Sequence, residues 1–171
     1  MFAATRPPCL LFALEIELKV LFVCLGNICR SPTAEGVFRY HVEQAGLQER
    51  IVIDSAGTAD WHIGKAPDPR TVKAAAKRGY DLSALRGRQA QAADFQRFDL
   101  ILAMDNSNLA NLQAIRPADA RAELALYLPR VGLEQREVPD PYYGGEEGFE
   151  QVLDLLEQAS INLLAEIRGR L

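Results

Sequence analysis

The sequence predicts a single α/β domain in which a four-stranded parallel sheet is flanked by helices. Two observations lead to this fold class. Short apolar runs alternate along the chain with segments of helical periodicity, and a length of 171 residues suits one domain with a substantial core. Strands that alternate with helices form right-handed βαβ units with parallel strands. Such sheets bind ligands at the carboxyl ends of their strands, so functional residues are expected there.

The first predicted strand is the continuous apolar run 19–24, which ends at Cys24. An unbroken apolar run of this length is typical of a strand buried on both faces. Three further strands are predicted at 51–55, 99–104 and 123–128. Cys24 is therefore expected at the carboxyl end of the first strand.

Four helices are predicted between and after these strands. The first begins at Ser31, which can cap it, has Pro32 in its first turn and stops at Gly46. The others cover 68–78 with Gly79 as the stop, 106–115, and a long C-terminal helix whose apolar residues between 149 and 167 lie at helical spacing.

The N-terminal residues 1–18 are expected to be a disordered extension, or to reflect a start codon assigned too early. Their apolar run 9–14 is at the lower limit of the roughly 7–15 residues of a signal peptide, and no convincing cleavage site follows. Residues 19–171 are expected to form the whole domain.

Composition excludes several classes of protein. The net charge of −4 argues against a nucleic-acid partner. No apolar run approaches the ~20 residues of a membrane span, so no membrane association is expected. Three cysteines are too few for a disulfide scaffold.

The stretch VLFVCLGNICRSPTAEGVF, residues 20–38, admits three interpretations: a metal site, a core segment with incidental cysteines, or a catalytic anion-binding loop. Zinc needs further ligands, and Cys9, His41 and His62 form no paired motif. Free cysteine is often buried as a small apolar residue, and the spacing Cys-x5-Arg is weak evidence by itself.

The position of the stretch between a strand and a helix favours the catalytic loop. Gly26 and Asn27 tolerate the positive φ that a tight loop requires. Successive amides of such a loop, together with the N-terminus of the following helix, can bind an anion. Arg30 adds a planar guanidinium that matches phosphoryl oxygens. A Cys24 thiol in that environment is expected to exist as the thiolate.

VCLGNICRS followed by PTAEGVF resembles the phosphate-binding loop of the low-molecular-weight protein tyrosine phosphatases. The resemblance continues through DSAGT, the segment 61–70 with the pattern W-x-x-G-x-x-x-D-P-R, FDLILAMDNSN and DPYY. It implies a single-domain three-layer sandwich of the phosphotyrosine phosphatase I-like fold, and a cytoplasmic enzyme that hydrolyses phosphotyrosine and aryl phosphate monoesters without a metal or other cofactor.

The resemblance also implies the roles of individual residues. Cys24 is the nucleophile of a phosphocysteine mechanism, Arg30 clamps the phosphate, and Asp140 is the general acid and base. Without the resemblance, an aspartate between two prolines is more often a turn residue. The remaining site residues are the loop positions Leu25, Gly26, Asn27, Ile28, Cys29 and Ser31, the pocket walls Trp61, Tyr142 and Tyr143, and the loop support Ser55. Asp105 is expected to be a structural cap at the rim.

Two details refine this prediction. Family members with a cysteine at the place of Cys29 form a reversible disulfide with the nucleophile, so Cys29 is predicted to protect Cys24 from overoxidation; its alternative is a buried small residue. Family members often carry a histidine near the place where Leu85 stands. Any support that this histidine gives to the phosphate-binding loop is absent here.

Three other functions remain as alternatives. An arsenate reductase of similar fold needs further cysteines, and only Cys9 lies outside the loop. A protein-arginine phosphatase would carry a small polar residue in place of Ile28. An inactive phosphate-binding module would lack the nucleophile or the acid. The expected partners are phosphotyrosine-containing proteins, a cognate tyrosine kinase and inorganic phosphate as product, and the expected state is a monomer or weak dimer.

Overall fold

The computed structural model describes residues 17–171. The predicted N-terminal extension, apart from its last two residues, lies outside this part of the chain. The strands are β1 (Leu18–Cys24), β2 (Ile51–Gly57), β3 (Leu100–Ala103) and β4 (Glu123–Leu126). The helices are α1 (Arg30–Gln44), α2 (Pro69–Lys77), α3 (Asp94–Arg97), α4 (Asn106–Ile115), α5 (Tyr127–Arg130) and α6 (Glu146–Arg168).

The strands form one parallel sheet in the order β2-β1-β3-β4, which confirms the predicted sheet. β1 is a central strand, and its last residue, Cys24, pairs with Gly57 at the end of β2. Val23 pairs with Ala103 at the end of β3. The carboxyl ends of three strands therefore meet at one edge of the sheet, next to Cys24.

Alternate side chains of β1 enter two different apolar cores, which gives the domain three layers. Phe22 packs with Phe38 of α1 and Leu156 of α6 on one face of the sheet. Leu21 packs with Phe95 on the other face, beside α3 and α4. β1 is buried on both faces, as its continuous apolar sequence predicts.

The predicted fourth strand, 123–128, is wrong in its last two residues. The chain turns after Leu126 into the short helix α5, where the fully buried Tyr127 ring lies 5.1 Å from the Phe22 ring. Pro129 has no N–H for a strand ladder, which favours this ending. The sequence also misses α3, because four residues are too short to show helical periodicity.

The predicted helix stops are confirmed at Gly46 and Gly79, which adopt φ values of 71° and 89°. The C-terminal helix is longer than its apolar pattern, since α6 begins at Glu146. None of the helices within residues 17–171 is both long and apolar enough to cross a lipid bilayer.

Candidate active site

Cys24, the last residue of β1, lines a pocket of about 170 Å³ at the carboxyl edge of the sheet. Its side chain is only 3 % exposed. The amide of Asn27 donates a hydrogen bond to Sγ at 3.3 Å, and Oγ of Ser31 lies 3.0 Å from the same sulfur. The amide bond places one donor at the sulfur, whereas in the contact with Ser31 either atom can be the donor.

The shape of the loop between β1 and α1 depends on Asn27 and Gly26 within it and on Gly57 of β2 beneath it. Asn27 adopts φ 56°, alone among the non-glycine residues at positions 17–171. Gly26, which could tolerate a positive φ, does not adopt one; a Cβ there would lie 3.0 Å from Cδ2 of His62. A Cβ on Gly57 would lie 2.7 Å from the carbonyl oxygen of Leu25. The loop therefore rests directly on the end of β2.

The carbonyl groups of the loop point away from the pocket toward the surrounding chain. They accept hydrogen bonds at Cys24 from Thr58, at Leu25 from Ala59, at Ile28 from Asp68 and at Cys29 from Thr33, over 2.9–3.3 Å. The amides of Leu25, Gly26 and Ile28 donate to no other group within the described residues. These amides and the N-terminus of α1 are thus available to an anion in the pocket.

Asn27 holds the loop with every polar atom of its side chain. Nδ2 donates to Oγ of Ser31 at 2.8 Å and to Oγ of Ser55 at 3.0 Å, and Oδ1 accepts from the amide of Arg88 at 3.0 Å. The structure thus brings together the residues predicted to support the loop. Because Asn27 is 3 % exposed, these bonds are shielded from water.

Ser31 does not cap α1, in contrast to the sequence prediction. The N-cap is Cys29, which makes no side-chain capping bond. The Ser31 hydroxyl instead lies between the Cys24 sulfur and the carbonyl oxygen of Ala56, at 3.0 and 3.2 Å. Its position inside the first turn of α1 directs the hydroxyl under the loop rather than at free helix amides.

Glu35 extends this network and is absent from the predicted site. It is buried, and Ser55 donates to its Oε2 at 3.2 Å. Burial raises the pKa of Glu35, although Arg39, at 3.5 Å from Oε1, acts in the opposite direction. The sequence carries one signal: Glu35 follows Ser31 by four residues, so both lie on one face of α1.

Arg30 is the first residue of α1 and is almost completely buried. Nη1 donates to Oδ2 of Asp105 at 2.6 Å and to the carbonyl oxygen of Val138 at 3.0 Å, and Nη2 lies 3.6 Å from Oδ2 of Asp140. Burial by itself lowers the pKa of Arg30, but the negative charges at Cys24 and Asp105 outweigh it and the pKa is raised. The guanidinium therefore stays charged inside the site.

Asp105 combines two roles, of which the sequence predicts one. It caps α4 by accepting from the amide of Asn108 at 2.7 Å, as expected. Its other oxygen fixes the Arg30 guanidinium. The signal for this second role is its place directly after β3, at the sheet edge that also holds Cys24.

Cys29 is chemically different from Cys24. Burial raises the pKa of its thiol to about 12, although the neighbouring Thr71 side chain acts in the opposite direction. Both cysteines are free thiols. A thiol with this pKa stays protonated at neutral pH, so Cys29 is a poor nucleophile.

Asp140 stands at the mouth of the pocket between the loop and the aromatic walls. Its side chain is 42 % exposed, and Oδ1 accepts from the amide of Tyr142 at 3.1 Å. Tyr142 and Tyr143 form an edge-on pair with centroids 4.9 Å apart. Trp61, 62 % exposed, lines the same pocket. The pocket therefore offers a carboxyl group beside flat apolar surfaces.

The predicted site residues divide into two layers. The pocket is lined by the predicted residues Cys24, Leu25, Gly26, Ile28, Cys29, Arg30, Trp61, Asp140, Tyr142 and Tyr143. The side chains of Asn27, Ser31 and Ser55 do not line the pocket but form the hydrogen-bonded layer beneath it. His62 lines the pocket as well and was missed, since a histidine after an aromatic rim residue carries no distinctive sequence signal.

Leu85, at the place of the family histidine, is part of an apolar cluster with Cys29 and Leu82. The amide of Arg88 nevertheless reaches Asn27, as described above. Within residues 17–171, no three His, Cys, Asp or Glu side chains are grouped so that they could hold a metal ion.

Comparison with known proteins gives the same family as the loop motif. The family model of low molecular weight phosphotyrosine protein phosphatases matches residues 19–170. The chain belongs to this family. A low molecular weight protein-tyrosine-phosphatase of Streptomyces coelicolor is 47 % identical over 154 residues, which cover 88 % of this chain and 93 % of the relative. The recognition made from the sequence is thereby confirmed, and the chain is a protein-tyrosine phosphatase.

Solved structures confirm the fold of this phosphatase. A protein tyrosine phosphatase from Entamoeba histolytica superposes with a TM-score of 0.84 at 41 % identity, covering 91 % of this chain and 100 % of the other. An arginine phosphatase from Drosophila gives a TM-score of 0.81 at 34 % identity, with coverages of 88 % and 98 %. Phosphoproteins are accordingly the substrates of the phosphatase.

Proposed function

We propose that Cys24, Arg30 and Asp140 carry out the phosphatase reaction on phosphotyrosine. The observation that carries this assignment is their placement around one pocket, with the Cys24 sulfur hydrogen-bonded and the Arg30 guanidinium fixed. The Cys24 thiolate attacks phosphorus, and the phosphoryl group passes to sulfur as the bond to the tyrosyl oxygen breaks. Arg30 and the free loop amides stabilise the charge on the phosphoryl oxygens.

Asp140 completes both halves of the reaction in this proposal. Its carboxyl group protonates the departing tyrosyl oxygen, since a phenoxide leaves poorly. The resulting carboxylate then takes a proton from the water that hydrolyses phosphocysteine, which releases inorganic phosphate and restores the Cys24 thiolate. The Ser31 hydroxyl, 3.0 Å from Sγ, stabilises the sulfur as it leaves. Arg30 and the amides supply the positive charge, so no metal or cofactor is included.

The walls of the pocket favour an aromatic ester over phosphoarginine. Ile28 presents an apolar side chain to the pocket, and Tyr142 and Trp61 offer flat surfaces to a tyrosyl ring. The structural neighbour from Drosophila is named an arginine phosphatase, so activity on phosphoarginine has to be measured as well. We infer that the physiological substrates are products of a cytoplasmic tyrosine kinase, and that a monomer or weak dimer performs the reaction.

Substrate class is tested with two peptides of identical sequence, one phosphorylated on tyrosine and the other on arginine. We expect kcat/KM for the phosphotyrosine peptide to be at least about tenfold higher, because only the tyrosyl ring stacks between the walls. Release of inorganic phosphate is the readout, with a metal chelator present as a control that should change neither rate. Faster hydrolysis of the phosphoarginine peptide would contradict the proposed preference for phosphotyrosine.

Cys29 is proposed to protect the nucleophile from irreversible oxidation. Both cysteines line the same pocket. Peroxide converts the Cys24 thiolate to a sulfenic acid, and the Cys29 thiol then condenses with it to form a disulfide and water. The high pKa of Cys29 keeps its thiolate scarce at neutral pH, so this condensation is expected to be slow.

Peroxide inactivation tests this role. The wild-type enzyme is expected to recover most of its activity when dithiothreitol is added, because the reductant opens the disulfide. Cys29→Ser is expected to recover several-fold less, since its Cys24 proceeds to sulfinic acid. Activity before peroxide gives the baseline of each variant, and mass spectrometry identifies the oxidation state of Cys24. Equal recovery by both proteins would contradict the protective role.

A further inference from the structure

A groove of about 580 Å³ lies between α2 and the first turns of α6, outside the catalytic pocket. One wall is the face of α2 that carries Arg70, Lys73 and Lys77. Ala74 and Phe149 are buried beneath it and give the groove an apolar floor. The groove is larger than the catalytic pocket, and the reaction described above uses none of its residues.

The groove begins where the catalytic pocket ends. The Arg70 guanidinium lies over the ring of Tyr142, 5.4 Å from its centroid, and over the ring of Phe149 at 4.9 Å. Tyr142 lines the catalytic pocket, whereas Phe149 lines the groove. A polypeptide whose phosphorylated side chain enters the pocket can therefore continue past Arg70 into the groove.

The α2 wall of the groove carries uncompensated positive charge. Arg70 is paired with Asp68 at 2.8 Å, but Lys73 and Lys77 are exposed and form no ion pair within residues 17–171. The α6 wall is acidic, and the single guanidinium of Arg78, which also pairs with Glu157 at 3.2 Å, compensates its charge only in part. Arg78 pairs with Glu150 and Asp154 at 2.6 and 2.9 Å.

Two further carboxylates, Glu146 and Glu147, line the groove in the first turn of α6. The positive end of the α6 dipole partly compensates their charge. An extended peptide directs alternate side chains to opposite sides, so every second residue faces α2 and the residues between face α6. The lysines therefore meet only one set of side chains of a bound peptide.

The distance between the two lysines is close to the distance between successive side chains on one side of an extended peptide. Lys73 and Lys77 are about 6 Å apart along the axis of α2, and residues two apart in an extended chain are separated by about 6.7 Å. Along the same axis, Lys73 lies about 4.5 Å and Lys77 about 10.5 Å beyond Arg70. An extended peptide covers the first distance in roughly one residue and the second in roughly three.

We propose that this groove binds the substrate polypeptide next to its phosphotyrosine, and that Lys73 and Lys77 select two acidic residues separated by one residue. The proposal rests on the proposed hydrolysis of phosphotyrosine and names the class of protein substrate. With about two residues needed to leave the catalytic pocket, the acidic residues occupy roughly the third and fifth positions from the phosphotyrosine.

The test uses phosphotyrosine peptides with Glu at the third and fifth positions, on the N-terminal side in one and on the C-terminal side in another, and matched peptides with Gln. For one placement, the wild-type enzyme should prefer Glu over Gln by about tenfold in kcat/KM. K73E/K77E should abolish or reverse that preference. Hydrolysis of p-nitrophenyl phosphate, which reaches only the catalytic pocket, should change less than about twofold.

R97E/R116E is the matched control, because Arg97 and Arg116 are exposed and lie at the opposite edge of the sheet. It makes the same change in net charge and should keep the preference for Glu. The proposal is wrong if neither placement gives a preference, or if K73E/K77E and R97E/R116E lower it equally. Those results leave hydrolysis of p-nitrophenyl phosphate intact, whereas its absence in the wild-type enzyme would overturn the proposed function itself.

Discussion

Replacing Cys24 by serine is expected to lower kcat for p-nitrophenyl phosphate by at least about 10⁴-fold. A serine hydroxyl at this position is not a nucleophile unless a base removes its proton. The groups within hydrogen-bond distance of the sulfur are the Asn27 amide and the Ser31 hydroxyl, neither of which is a base. Steady-state release of p-nitrophenol measures the loss.

Binding of inorganic phosphate to the Cys24→Ser variant separates chemistry from structure. The loop amides and Arg30 remain in place, so calorimetry should give a Kd within a few-fold of the wild-type value. A thermal unfolding midpoint close to that of the wild type shows that the fold is intact. Turnover within about tenfold of the wild type would end the assignment of Cys24 as nucleophile.

Replacing Asp140 by alanine is expected to lower kcat for phenyl phosphate by about 10²- to 10⁴-fold. The departing phenoxide then leaves without a proton, and the structure places no other carboxyl group among the pocket residues. The p-nitrophenyl ester should lose much less, because its leaving group is stable as an anion. The slope of log kcat against leaving-group acidity, over a series of aryl phosphates, measures this difference.

Asp60→Ala is the matched control for Asp140. Asp60 precedes Trp61 and is exposed, but it does not line the pocket. Its removal takes away a nearby negative charge without removing the proposed acid, so the leaving-group dependence should match that of the wild type. A uniform loss over all esters in Asp140→Ala would contradict the acid role and would point instead to its 3.6 Å contact with Arg30.

The sequence could predict those parts of the protein that depend on residues close together along the chain. The apolar run of β1, the loop with its glycine and asparagine, and the start of the next helix are contiguous, so their order along the chain already implies a nucleophile beside an anion-binding turn. The errors are local as well. Ser31 resembles a helix cap, and 127–128 resembles the end of a strand, because short-range propensity carries no information on what each side chain packs against.

The role of Asp140 could not be predicted from the residues next to it in the sequence. Its own neighbours predict a turn, and only its agreement with a family motif assigned it a catalytic role before the structure placed it at the pocket. Arg30 reaches Asp105, 75 residues away, and the carbonyl of Val138, 108 residues away. No period or spacing in the sequence reports such contacts.

The sequence by itself therefore determined the family and the parallel sheet, and it named the candidate residues of the site. The tertiary structure alone decided how Arg30 is fixed, that buried Glu35 supports the loop, that His62 joins the pocket, and that a second groove lies between α2 and α6. The physical reason is that a parallel sheet brings the ends of strands distant in sequence to one edge. The charged groups gathered at that edge come from segments whose proximity only the completed fold creates.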